Sequence, residues 1–209
     1  MRKNVLLAML LTAAAVGFSA PRPAMVPLPG IWTIETEFEN LRPIMFSPDG
    51  SEPQRYWYMI LSLTNNSPNT VPFYPSIELM TDTYFFCQAN DFPAGAIFKQ
   101  IRLVNQGKYP FLISYDDIDS SILKGSDNTV DIAVVFRDFD AEAKSLSIFI
   151  EGLSNETVTI EHPTKTDKDG NPLKVRLRKT LKLNYNLPGD NTAKQSRTLI
   201  FDSLEWVMR

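Results

Sequence analysis

Apolar and polar side chains alternate with a period of two along most of this chain. From Arg55 to Thr64, Trp57, Met59, Leu61 and Leu63 fall on one side of an extended segment, with Tyr56, Tyr58, Ile60 and Ser62 on the other. Successive strand residues point to opposite faces, so the first set predicts a core face and the second an aromatic face that is also covered. Ile31 to Phe38 is a second extended segment, and Ser47-Pro48-Asp49-Gly50 is a turn before the next strand. Asn65-Asn66-Ser67-Pro68-Asn69 is another turn, followed by returning strands over Thr70 to Ser76 and Ile77 to Cys87, with Pro72 and Pro75 marking an edge or a bend. Asp131 to Phe136 and Leu146 to Glu151 predict two more strands, joined by Asp138 to Ala143. After the turn Asp167 to Pro172, the residues Val175, Leu177, Leu181, Leu183 and Tyr185 alternate with Arg176, Arg178, Thr180, Lys182 and Asn184, giving one apolar and one largely basic face. Thr198 to Met208 predicts a closing strand with Leu199, Phe201 and Trp206 available for burial.

The period changes once. Between Asp91 and Gly107, Ile97, Ile101 and Val104 share a helical face, with Asp91 as a cap, Pro93 just inside and Gly107 as a stop. Tyr109 to Asp127, acidic and Ser-rich, is expected to cross the surface as a long connection. The elements together predict a mainly β fold, a single β-sandwich of about 8–10 strands with one short inserted helix.

The start of the chain follows a different logic. Arg2 and Lys3 precede an apolar run from Val5 to Phe18, and Ser19 and Ala20 follow, which is the order of a secretory signal. The run is shorter than the ~20 residues a membrane-spanning helix needs. Gly17 and Ser19 place the small residues that processing requires before the Ser19–Ala20 bond. Residues 1–19 are read as a signal peptide, 20–30 as a Pro-rich linker and 31–209 as the sandwich domain. The product is expected to be exported, periplasmic or extracellular, with no membrane span after cleavage.

Composition narrows the chemistry. Hydrophobic residues make up 44% and charged residues 22% of the 209, the balance of an ordinary folding chain. The net charge of -3 becomes more negative once Arg2 and Lys3 are removed, which argues against a nucleic-acid partner. The single Cys87 and single His162 exclude a disulfide framework and a Cys- or His-rich metal centre, and no cofactor motif is present. Cys87 and His162 could form a nucleophile and base, but Cys87 ends an apolar strand, where an inert buried thiol is the ordinary outcome. No Gly-x-Ser-x-Gly elbow or Gly-rich phosphate loop occurs. Asp167, Asp169 and Asn171 alternate like calcium ligands, but Pro172 stands where that loop needs glycine, and Arg178 where it needs a bidentate glutamate. Three candidates remain. Asp138, Asp140 and Glu142 could hold a cation between strands, Tyr56 and Tyr58 with Phe73 could stack on a sugar, and Arg176 and Arg178 with Lys174, Lys179 and Lys182 could meet an anionic partner.

Several stretches, in order, resemble a family of secreted proteins from planctomycete-type bacteria for which no activity is established. They are Arg55-Tyr56-Trp57-Tyr58, Tyr74-Pro75-Ser76, Phe136-Arg137-Asp138-Phe139-Asp140, Gly152-Leu153, Arg178-Lys179-Thr180-Leu181, Leu187-Pro188-Gly189-Asp190 and Glu205-Trp206-Val207-Met208-Arg209. Leu63-Thr64-Asn65-Asn66-Ser67 is similar to the strand-turn of bacterial immunoglobulin-like domains. The resemblance implies export and an immunoglobulin-like sandwich, and carries over no catalytic residue. The functional expectation is a non-catalytic exported module that binds an envelope protein or surface component. A carbohydrate-binding module and a small exported hydrolase are the alternatives.

Overall fold

The computed structural model describes residues 30–47, 50–187 and 199–209, and Ile31–Arg209 forms one compact unit. Residues 1–19, read as a signal peptide, and 20–29, read as linker, lie outside the described residues. In chain order the strands are β1 (Glu35–Phe38), β2 (Arg42–Phe46), β3 (Gln54–Thr64), β4 (Val71–Pro72), β5 (Ser76–Thr81) and β6 (Phe86–Gln88). The helix α1 (Gly95–Asn105) follows. Then come β7 (Ile113–Ser114), β8 (Ser121–Ile122), β9 (Val130–Arg137), β10 (Ser145–Glu151), β11 (Thr157–Thr166), β12 (Pro172–Asn186) and β13 (Ile200–Met208).

Two sheets enclose the core, as the alternation predicts. In the first, β3 is central: β1 and β2 pair with successive halves of it, β9 lies antiparallel beside it, and β7 adds parallel to β9. Trp57 faces Phe136, Met59 faces Val134 and Leu61 faces Ile132 across the β3–β9 ladder, so their side chains form one inward apolar face. The second sheet contributes Ile77 and Leu79 from β5, Leu146, Ile148 and Ile150 from β10, and Leu181, Leu183 and Tyr185 from β12. The two inward faces close into one cluster, the arrangement of a β-sandwich.

The other face of β3 is also covered. Ile97 and Ile101 of α1 pack over Ile44, Tyr58, Ile60, Ala133 and Val135, forming a second apolar layer outside the first sheet. This is why β3 reads as nearly continuous hydrophobic sequence.

The structure corrects several expectations. The helix starts at Gly95 rather than near Asp91, which instead pairs with Arg137 at 3.0 Å. Val104 is exposed and Asn105 takes its place inside, because residues four apart stay on one helical face and Ile97, Ile101 and Asn105 keep that spacing. The Asn105 amide donates to the Ile101 carbonyl at 2.7 Å. The segment from Tyr109 to Asp127 is not a plain surface crossing, since it holds β7 and β8 and buries Leu112, Ser114 and Ile122. Thirteen strands occur among the described residues rather than about 8–10, because several are two- or three-residue pairings without a periodic signature. Strand β11 is a full ten-residue element that the reading left unassigned.

Candidate interaction surface

β12 is long enough to serve two environments. From Thr180 to Asn186 it lies inside the second sheet, with β10 on one edge and β13 on the other. From Pro172 to Leu177 its only described neighbour is β11, which takes over the edge that β10 leaves. The Lys179 N–H donates to the Glu156 carbonyl at that handover. Residues 157–178 therefore form a two-stranded arm extending beyond the sandwich. Its tip is closed by Asp167, whose side chain accepts from the backbone N–H groups of Asp169 and Asn171, both at 2.9 Å. The Asp167-to-Pro172 segment is the hairpin turn that its composition suggests.

The alternation that fills the core continues into this arm, where no second sheet covers it among the described residues. Val158 faces Leu177 and Ile160 faces Val175 across the ribbon. Those residues share the parity of Leu181 and Leu183, so the inward face of the sandwich becomes an uncovered apolar face on the arm. Val158 is 41% exposed and Ile160 43%. On β13, Leu204 and Trp206 stand opposite Leu183 and Leu181, extending the same face along the sheet edge, and both are exposed. Trp206, expected to be available for burial, is only partly covered because β13 is the outermost described strand of its sheet, and Lys179 Nζ sits 5.2 Å from its ring centre. The opposite face of the arm is polar. It carries Thr157, Thr159 and Glu161 of β11 against Arg178, Arg176 and Lys174 of β12. Arg178 pairs with Glu151 at 2.7 Å. Across 157–178, five Lys and Arg stand against three Asp and Glu, a local excess of positive charge in an acidic chain.

The remaining candidates have other employment. Asp138 Oδ1 accepts from Trp57 Nε1 at 2.8 Å and from Arg55 Nε at 3.0 Å, while Oδ2 accepts from the other Arg55 nitrogen at 2.8 Å. That carboxylate anchors the buried indole and orients the guanidinium. Asp140 accepts from Thr83 at 2.6 Å, from Thr81 at 3.2 Å, and from the Glu142 backbone at 3.1 Å. Burial raises its pKa, but the bonds from Thr83, Thr81, Ala143 and Glu142 outweigh that and hold the carboxyl below its usual range. Glu142 thus meets Asp140 through its backbone. Among the described residues no three His, Cys, Asp or Glu side chains gather into a group that could hold a metal ion.

The sugar-stacking platform is not available. Tyr58 lies under α1, Phe73 is buried in the main core, and Tyr56 packs against Phe92 with ring centres 5.2 Å apart. Cys87 and His162 do not meet either. Cys87 faces the core from β6, and burial, with the Asp91 charge adding to it, pushes its thiol up to about 12. His162 lies on the arm, where Nδ1 accepts from the backbone N–H groups of Lys165 at 3.0 Å and Thr164 at 3.2 Å. Of the three candidates left open by the sequence, only the basic set places residues on the exposed arm, with Lys174, Arg176 and Arg178. Its apolar face was missed, although the alternation Thr157-Val158-Thr159-Ile160-Glu161 carries it.

Compared with protein-family models, with curated proteins and with solved structures, the chain gives no match. No helix among the described residues is long and apolar enough to cross a membrane.

Proposed function

We propose that this chain is an exported, non-catalytic interaction module, and that its contact surface is the β11–β12 arm with the adjoining face of β13. One observation carries the reading: the core-type alternation runs out past the sandwich on the arm, where Val158 and Ile160 hold apolar surface in water, and Leu204 and Trp206 expose the same face along β13. Exposed apolar area gains free energy when covered, at about 25 cal/mol per Å², and a contiguous row of it marks a binding surface more than scattered single residues do. A protonated Cys87 thiol and the structural engagement of Asp138 and Asp140 favour this over a hydrolase. The buried Tyr58 and Phe73 disfavour a carbohydrate-binding module. Export belongs to the same proposal and rests on the Arg2-to-Ala20 pattern.

The test is site-specific photo-crosslinking in the cells that make the protein. A photoreactive residue at Ile160 should yield adducts with an envelope component, whereas one at Ser147, on the polar outer face of the second sheet, should not. Equal labelling from both positions, or none from Ile160, would overturn the assignment. Mass spectrometry of the product should place its first residue at Ala20, and an intact Met1 would refute export by cleavage.

A further inference from the structure

The arm leaves the sandwich beside a groove of opposite charge. Across the second sheet, Ser76 of β5, Glu151 of β10 and Thr180 of β12 lie in one row, and the arm starts two residues from Thr180, at Arg178. Neighbouring strands are about 4.8 Å apart, so β5 passes roughly 10 Å from β12 at this end. Tyr74 and Pro75, just before Ser76, lie against Gly152, just after Glu151. With Tyr115 and Ile118 they line a depression of about 320 Å³, and Ile118 also lines a second one of about 230 Å³ with Ile113, Ile122 and Val130. The Tyr115 hydroxyl donates to the Pro75 carbonyl at 2.8 Å, which fixes the first wall. Asp117 and Asp119 stand on either side of Ile118 in the chain, are exposed, and pair with no cation among the described residues. The groove is therefore apolar inside and acidic at its rim. On the arm, Val158 and Ile160 hold apolar surface in water, and Lys174 and Arg176 are exposed cations without a described ion pair.

We propose that two copies of this chain clasp each other, each laying its arm in the groove of the other. The inference rests on the arm being the contact surface and names a second copy as its partner. Charge complementarity selects that occupant: in an acidic chain the arm carries a basic excess, and the groove rim carries carboxylates without cations, so each copy offers what the other lacks. Val158 and Ile160 cover the aliphatic interior of the groove. Lys174 and Arg176 project from the opposite face of the ribbon, and their long stems lie along its apolar flank while the charged heads reach Asp117 and Asp119 at the rim. Because arm and groove belong to the same end of the sandwich, one twofold axis makes both contacts together, and the association closes at two copies instead of growing into a filament.

Sedimentation equilibrium of the chain purified from the cells that make it should give a dimer at about 100 μM. Raising the salt from about 0.1 to 1 M, which shortens the screening length from ~10 to ~3 Å, should weaken that dimer. Lys174→Glu/Arg176→Glu and Asp117→Lys/Asp119→Lys should each weaken it about tenfold or more, with melting curves like the parent's. An equimolar mixture of the two variants should restore the dimer, since the acidic arm of one then meets the basic groove of the other while the unaltered arm and groove still match. A monomeric parent, a dimer that either double variant leaves intact, a mixture that stays monomeric, or assemblies larger than two would each overturn the clasp. If the parent is monomeric while a photoreactive residue at Ile160 labels a different envelope protein, the clasp falls and the arm stands as the contact surface. If that residue labels nothing, both fall.

Discussion

Truncating Trp57 to alanine should be among the most damaging single changes in this protein. The side chain is fully buried at the middle of β3, opposite Phe136 and stacked on Phe139 with ring centres 5.3 Å apart and planes inclined by 24°. Removing a buried aromatic typically costs ~3–5 kcal/mol, through lost transfer energy and the cavity left behind. The upper half of that range applies here, because the rigid ladder partners on both sides of β3 restrict collapse into the space. There is a polar contribution too, since the indole N–H bonds Asp138 at 2.8 Å. Trp57→Phe separates the two effects: it keeps most of the ring and loses that bond, at about 2 kcal/mol for a hydrogen bond to a charged acceptor. Asp138 retains Arg55 in both variants, so its charge is not left unpaired. Urea unfolding followed by circular dichroism is the assay. With a slope of about 2 kcal/mol per M, Trp57→Ala should lower the midpoint by about 2 M and Trp57→Phe by about 1 M. A Trp57→Ala midpoint within about 0.5 M of the parent would refute the core assignment. Equal losses in the two variants would show that the Asp138 bond, and not the cavity, dominates.

Two further outcomes follow from the geometry. Gly152 has φ +96° and a Cβ there would meet the Tyr74 carbonyl oxygen at 2.9 Å, whereas Gly170 has φ +81° with nothing within 4 Å. Thermal melts should therefore show Gly152→Ala destabilised by more than about 2 kcal/mol and Gly170→Ala by about 1 kcal/mol, and similar losses would remove the role of the Tyr74–Pro75 contact. Stability should also fall in alkali. Burial pushes the Cys87 thiol from its ordinary 9.0 up to about 12, so above pH 9 the unfolded chain ionises while the folded one holds its proton. The contribution is complete below pH 9 and is lost by up to about 1.4 kcal/mol per pH unit as the pH rises towards 12. Urea midpoints of Cys87→Ala should fall less than those of the parent between pH 8 and pH 10, and parallel profiles would contradict the burial argument. The buried Tyr185 hydroxyl, also pushed up to about 12, joins in above pH 10 and is common to both chains.

Much of the sandwich was legible because period-two alternation is a local property that survives whatever the strands pack against. Trp57, Met59, Leu61 and Leu63 declare a buried face before any partner is known, and so do Leu181, Leu183 and Tyr185. The lone thiol in an apolar strand likewise read as packing, and the Asp167-to-Pro172 stretch as a turn. The sequence by itself thus determined which residues alternate, where the chain must turn, and that one helical segment interrupts the β pattern.

Coverage was decided by tertiary structure alone. Tyr58 and Ile160 both alternate as strand residues, yet Tyr58 lies beneath α1 and Ile160 stands in water, because one has a layer packed over it and the other lies past the end of the opposing sheet. Asp138 looked like a cation ligand by its spacing from Asp140 and Glu142, and the fold turned it inward to Trp57 and Arg55 instead. Likewise, no run of residues states that β10 ends at Glu151 while β12 reaches back to Pro172. That offset between strands creates the exposed arm. It depends on pairing between segments far apart in the chain, which local side-chain chemistry does not encode.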